Sequence, residues 1–200
     1  MSEEFRRVPP PRQPVTNRQV TTIRGQVHRF VLIPLIERHT RWFDAGPVSI
    51  AVEARALGTS AEHMVRGPSI HVFDAAHDEE YLRFDVFGKV LHYHYVLNAQ
   101  DHNVLWGYDP DANGPMIPWV MAALRDRLPT LLRGAGADDL ARVVEQSGWD
   151  ASVLVEVERQ ANAALAPRED DLLRAKEGMD WMYQWKAVHP QFNTVEEGEY

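Results

Sequence analysis

SIHVF (69–73), DAAHDEE (74–80), YLRFDVF (81–87), GK (88–89) and VLHYHYV (90–96) run consecutively. Three short runs of aromatic and β-branched residues separated by turn formers predict an antiparallel meander. The Gly88-Lys89 pair suits a two-residue hairpin loop with glycine first. That turn sets Phe87 opposite Val90, Asp85 opposite His92 and Arg83 opposite His94. Pairing Phe73 with Tyr81 sets His71 opposite Arg83. Because strand side chains alternate, His71, Arg83, Asp85, His92 and His94 are then expected on one face. Leu82, Phe84, Val86, Leu91, Tyr93 and Tyr95 take the other.

Two imidazoles spaced His-x-His on a strand point the same way, and a carboxylate on the paired strand completes a three-ligand face. Asp85, His92 and His94 are therefore the candidate ligands of a divalent metal ion, iron, manganese or zinc, with open positions for water or dioxygen. His71 is the candidate fourth ligand or proton carrier, and Arg83 the candidate clamp for a substrate carboxylate. His77 and His102 are spare candidates. The competing expectation is a polar sheet face on which Asp85 pairs with His92 or Arg83. His-x-His also occurs in cupins, but their pattern wants a glycine further upstream than Gly88 and a glutamate where Asn98, Gln100 and Asp101 stand. No G-x-S-x-G, phosphate loop or dinucleotide fingerprint occurs.

Upstream, residues 1–18 carry Pro9, Pro10, Pro11 and Pro14 with four arginines, and are expected to form an extended Pro/Arg-rich arm. Residues 19–43 are expected to form strand, then a short helix over PLIERHTRWF with proline near its first turn. VSIAVEARAL (48–57) alternates as a half-buried strand, and a loop through Gly58, Gly67 and Pro68 leads to the meander. Downstream, Asn98–Asn103 is turn-like and Val104–Tyr108 a last strand. Asp109–Gly114 matches the first half of a calcium loop but lacks the closing glutamate, Val120 standing there; a turn needs no ion.

Beyond Pro115 the periodicity changes to three and four. Ile117, Val120, Met121, Leu124, Leu128, Leu131 and Leu132 mark a helix that Pro129 should kink. Asp138 and Asp150 are expected to cap two further helices, the second with a core stripe of Leu154, Val157, Ala161, Ala164 and Leu165. A last helix should run to about Val188, crowded with Met179, Trp181, Met182, Tyr183 and Trp185. Strands first and helices afterwards predict an α+β fold: an antiparallel β-meander packed against about four C-terminal helices. The expected organisation is one domain over residues 19–190 and an acidic tail over 191–200.

The chain has 200 residues, 44% of them hydrophobic, enough for one core. A formal net charge of −8 argues against nucleic acid and anionic membranes as partners. The absence of cysteine excludes thiol catalysis, zinc ribbons, iron–sulfur clusters and disulfides. No secretory signal and no apolar run of membrane-spanning length is visible, so a cytoplasmic location is expected. The reading is a small metal-dependent enzyme, of oxygenase or hydrolase type, acting on a small organic acid or aromatic substrate. The alternative is a non-catalytic accessory or assembly subunit that binds a protein partner through its aromatic last helix. A homodimer using that helix and the N-terminal arm is expected in either case.

Overall fold

The structure, a computed structural model, describes residues 19–21, 25–28, 35–58, 60–87, 91–100 and 102–188. Among the described residues, eight antiparallel strands form one sheet: β1 (Gln19–Thr21), β2 (Gly25–His28), β3 (Thr40–Asp44), β4 (Val48–Leu57), β5 (Val65–Asp74), β6 (Glu80–Asp85), β7 (His92–Leu97) and β8 (His102–Gly107). Their spatial order is β1-β2-β8-β7-β6-β5-β4-β3, so β3 to β8 form a six-stranded meander. Within the described residues five helices follow: α1 (Pro110–Asn113), α2 (Met116–Gly134), α3 (Asp138–Ser147), α4 (Leu154–Ala163) and α5 (Asp171–Val188). The fold is α+β, an antiparallel sheet followed by four substantial helices and one short turn of helix.

Alternation decides which face meets the helices. Val48, Ile50 and Val52 of β4, Ile70 and Val72 of β5, and Leu82 and Phe84 of β6 form one core with Val120, Leu124, Leu128 and Leu132 of α2 and Leu154 and Val157 of α4. Each such side chain taken fully out of water contributes about 1.5–3 kcal/mol. Tyr93, Tyr95 and Leu91 pack at the margin of the same core. Leu165, expected in the α4 stripe, is instead 47% exposed. Within α2, Arg127 leaves helical geometry (φ −141°, ψ 15°), two residues before Pro129, whose ring cannot sit over an unbroken turn.

The edge of β4 beyond β3 is covered by α5. The β3 ladder ends at Thr40 opposite Glu53, which leaves the Ala54–Leu57 backbone needing partners on that side. Arg174 of α5 donates from Nη1 to the Ala54 carbonyl at 3.1 Å. Trp181 is buried, while Leu172, Leu173 and Tyr183 are exposed.

Several expectations are corrected. PLIERHTRWF is not a helix: Glu37–His39 makes one 3-10 turn and Thr40–Asp44 is strand β3, the β-branched and aromatic Thr-Arg-Trp-Phe finding a ladder partner in β4. β4 is not half-buried but buried on both faces. Gly67 and Pro68 are not loop residues; they lie in β5, opposite Arg55 and Ala54. Gly67 is required there, because its φ is +154° and a Cβ would lie 2.3 Å from the Val86 carbonyl oxygen. β8 starts at His102, earlier than expected. Asp109 caps α1, accepting from the Asp111 and Ala112 amides, so the carboxylate of the half calcium loop is spent on backbone. The arm over 1–18, the Gly88-Lys89 turn with Val90, and the tail over 191–200 lie outside the described residues.

Candidate metal centre

The face turned away from the helices holds Ser69, His71, Arg83, Asp85, His92 and His94. Asp85 stands opposite His92 and Arg83 opposite His94, and His71 stands opposite Arg83. These are the pairs the sequence predicts. The expected partner of Phe73 is wrong, however: Phe73 pairs with Glu80, across a bulge that skips Tyr81. The extra residue turns Glu80 onto the polar face, three residues from Arg83, where unbroken alternation would put it with Leu82.

This face is not a wetted surface. His71 is 0% exposed, Arg83 2%, Asp85 4% and His94 4%. Leu35 packs over Ala51 and Phe73 with Trp42 beside them, and the Ile36 amide donates to Glu53 Oε1 at 3.2 Å. Charged groups at that depth are costly unless each finds a partner.

Asp85, His92 and His94 offer one ligand atom each, all within 4.8 Å of one another. Asp85 Oδ2 lies 3.3 Å from Nε2 of His92 and 3.3 Å from Nε2 of His94. The other oxygen, Oδ1, accepts a hydrogen bond from the Ser69 hydroxyl. On the far side of its ring, His94 Nδ1 lies 2.8 Å from Asn103 Oδ1, a carbonyl oxygen of β8. A carbonyl only accepts, so Nδ1 carries the proton and the neutral ring turns the lone pair of Nε2 towards Asp85. Burial lowers the pKa of His94 despite the pull of Asp85. Burial likewise opposes ionisation of Asp85, yet His92 and His94 outweigh it and hold the carboxyl well below the usual range. Two imidazole nitrogens and one carboxylate oxygen thus converge on one point, a donor set that a divalent cation takes. A metal bonded at about 2.0–2.2 Å to such donors holds them roughly 3.0–3.4 Å apart, the separation seen from Asp85 to each histidine.

Beside this trio lies a second network. Arg83 donates to both oxygens of Glu80, from Nε at 2.8 Å and Nη2 at 2.6 Å. His71 Nδ1 is 2.7 Å from the same Glu80 Oε1, while its Nε2 lies 3.5 Å from Glu53 Oε2 without a hydrogen bond. Arg55 Nε donates to that Glu53 oxygen at 2.8 Å. Burial favours the neutral form of Glu80 and Glu53; Arg83 and His71 outweigh it for the first, Arg55 and His71 for the second, so both stay ionised below the ordinary carboxylate range. Arg83 is thus committed to Glu80 and is not presented as an open carboxylate clamp.

Of the spare histidines, His77 lies elsewhere. It stacks on Trp42 at a centroid distance of 4.1 Å, and its Nε2 meets Ser49 Oγ at 2.9 Å. The side chain of His102 is outside the described residues. Sequence reasoning missed Ser69, Asn103, Glu53 and Glu80. The first three had a signal: alternation along β4 and β8 together with the pairing Glu53 to Ser69 and Asn103 to Val96. Glu80 had none, because the bulge reversed its face.

Fold and site together define an α+β protein whose antiparallel sheet buries a carboxylate–imidazole trio on the face opposite its helices. The chain belongs to the family described as a domain of unknown function (DUF7700), whose model matches residues 42–161. That span includes the trio, the second network beside it, helix α2 and all but the last two residues of α4, and stops short of α5. No curated protein and no solved structure matches the chain. Among the described residues, no helix is long and apolar enough to cross a membrane.

Proposed function

We propose that this protein is a metal-dependent enzyme in which Asp85, His92 and His94 bind one divalent ion, iron, manganese or zinc. The observation that carries the reading is the convergence of the three donors, with Asp85 Oδ2 at 3.3 Å from both histidine nitrogens. A mixed nitrogen and oxygen set suits these ions. Three protein donors leave positions at which the ion activates water for hydrolysis or dioxygen for oxidation. His92 is the least buried member, its side chain 15% exposed, and is the side from which a small organic or aromatic substrate approaches. His71, poised between Glu80 and Glu53, moves the proton. Arg83 influences the centre through its charge rather than by gripping substrate. We place the enzyme in the cytoplasm.

The test is metal content per chain on protein purified without a histidine tag, repeated on His92→Ala and His94→Ala. Near-stoichiometric metal in the wild type, lost in both variants with unchanged circular dichroism, supports the centre. Metal-free protein that stays metal-free after incubation with Fe(II), Mn(II) and Zn(II) overturns it.

A second reading rests on a separate observation, the exposed Leu172, Leu173 and Tyr183 of α5. Here α5 is the docking element of a homodimer or an accessory subunit, exposed large apolar side chains grouped on a surface being a mark of interaction sites. Sedimentation of the wild type against Leu173→Asp decides it; an unchanged sedimentation coefficient and no partner-dependent loss count against this reading.

A further inference from the structure

We infer that Asn103 and Ser69 are positioning residues that turn the trio into a three-point, one-atom-per-ligand metal site. The inference rests on the metal reading above and assigns roles to residues that touch no metal themselves. Each acts on the donor atom that must not bind.

His94 has two ring nitrogens, and only one can face the ion. The Asn103 carbonyl oxygen at 2.8 Å from Nδ1 fixes the proton there and leaves Nε2 as the ligand. The contact is buried on both sides, Asn103 being 1% and His94 4% exposed, so water does not compete for Nδ1. The geometry also follows from the ladder. Asn103 of β8 pairs with Val96, the next residue of β7 on the face of His94, so its short amide reaches the near nitrogen of the ring.

Asp85 has two oxygens, and a free carboxylate can chelate through both. The Ser69 hydroxyl occupies Oδ1, and Ser69 itself is 0% exposed and stands directly opposite Asp85 in the ladder. Only Oδ2 then faces His92 and His94. A monodentate aspartate fills one position of the ion instead of two, which keeps a position free for an exogenous ligand.

Cobalt(II) is the probe, because its visible spectrum reports both binding and coordination number. Wild-type protein, Asn103→Leu, Asn103→Asp and Ser69→Ala are titrated with Co(II), and each loaded form is then titrated with azide. Leucine matches the volume of asparagine but cannot accept a hydrogen bond; aspartate restores the acceptor. Asn103→Leu is expected to bind cobalt about 10–100-fold more weakly, with Asn103→Asp close to wild type. A merely structural role would not be rescued by the acceptor. Ser69→Ala is expected to keep its cobalt while binding azide at least about tenfold more weakly, as the freed Oδ1 takes the open position. Cobalt affinity unchanged in Asn103→Leu, or equally poor in both Asn103 variants, overturns the role of Asn103. Azide affinity unchanged in Ser69→Ala overturns the role of Ser69. No cobalt uptake by the wild type overturns the metal reading itself, and this inference with it.

Discussion

Replacing Glu80 with glutamine should be among the most damaging single changes in the sheet, although it alters shape very little. The carboxylate accepts two hydrogen bonds from Arg83, at 2.8 and 2.6 Å, and meets His71 at 2.7 Å. Arg83 is 2% exposed, so its charge cannot recover hydration when the pairing charge is removed. Breaking a buried ion pair from one side costs about 3–5 kcal/mol. In a chain of this size each kcal/mol moves the melting midpoint by roughly 2–4 °C, so the expected drop is about 6–20 °C. Urea denaturation should show the midpoint falling with an unchanged slope, the mark of lost stability rather than a changed unfolded state. The double variant Glu80→Gln with Arg83→Met should recover much of the loss, because the stranded charge goes with its partner. A loss below about 1 kcal/mol in the single variant, or no recovery in the double, would refute the account of this face as a buried, mutually neutralised network.

Two further outcomes are expected. Glu80 and Asp85 both have folded-state pKa values below their ordinary ones, so the unfolded chain binds more protons as the solution is acidified. Their contribution to stability is complete above the ordinary carboxyl pKa of about 4 and disappears as pH falls towards the folded values. Stability measured by urea between pH 6 and pH 3 should therefore fall on acidification, and more shallowly in Glu80→Gln; an equal slope in the two proteins contradicts the assignment. Gly67→Ala should destabilise by about 1–3 kcal/mol, since the residue combines φ +154° with a Cβ position 2.3 Å from the Val86 carbonyl oxygen. A neutral result in thermal denaturation would mean that the β5–β6 approach is looser than described.

What the sequence determined by itself is the class of fold and the membership of one face. Period-two alternation and the Gly-Lys turn sufficed to pair Asp85 with His92 and Arg83 with His94, because a hairpin register is a local property that a few residues specify. Helices α2 to α5 were likewise legible, α2 from its apolar spacing and the kink at Pro129; α1 was not, and Asp138, expected as a cap, is the first residue of α3 instead. Three things needed the tertiary structure. Thr40–Asp44 became a strand only because β4 was there to pair with it, and a ladder partner distant in sequence outweighs local helix signals such as Pro34. Glu80 joined the polar face through a bulge, which no period can announce. Above all, the burial of that face was invisible in the chain. Alternation says which side chains share a side, but not whether water or protein lies over them. Burial is what turns a row of polar residues into a network in which every donor and acceptor has to be placed, and it is why Ser69, Asn103, Glu53 and Glu80 join the five residues the sequence singled out.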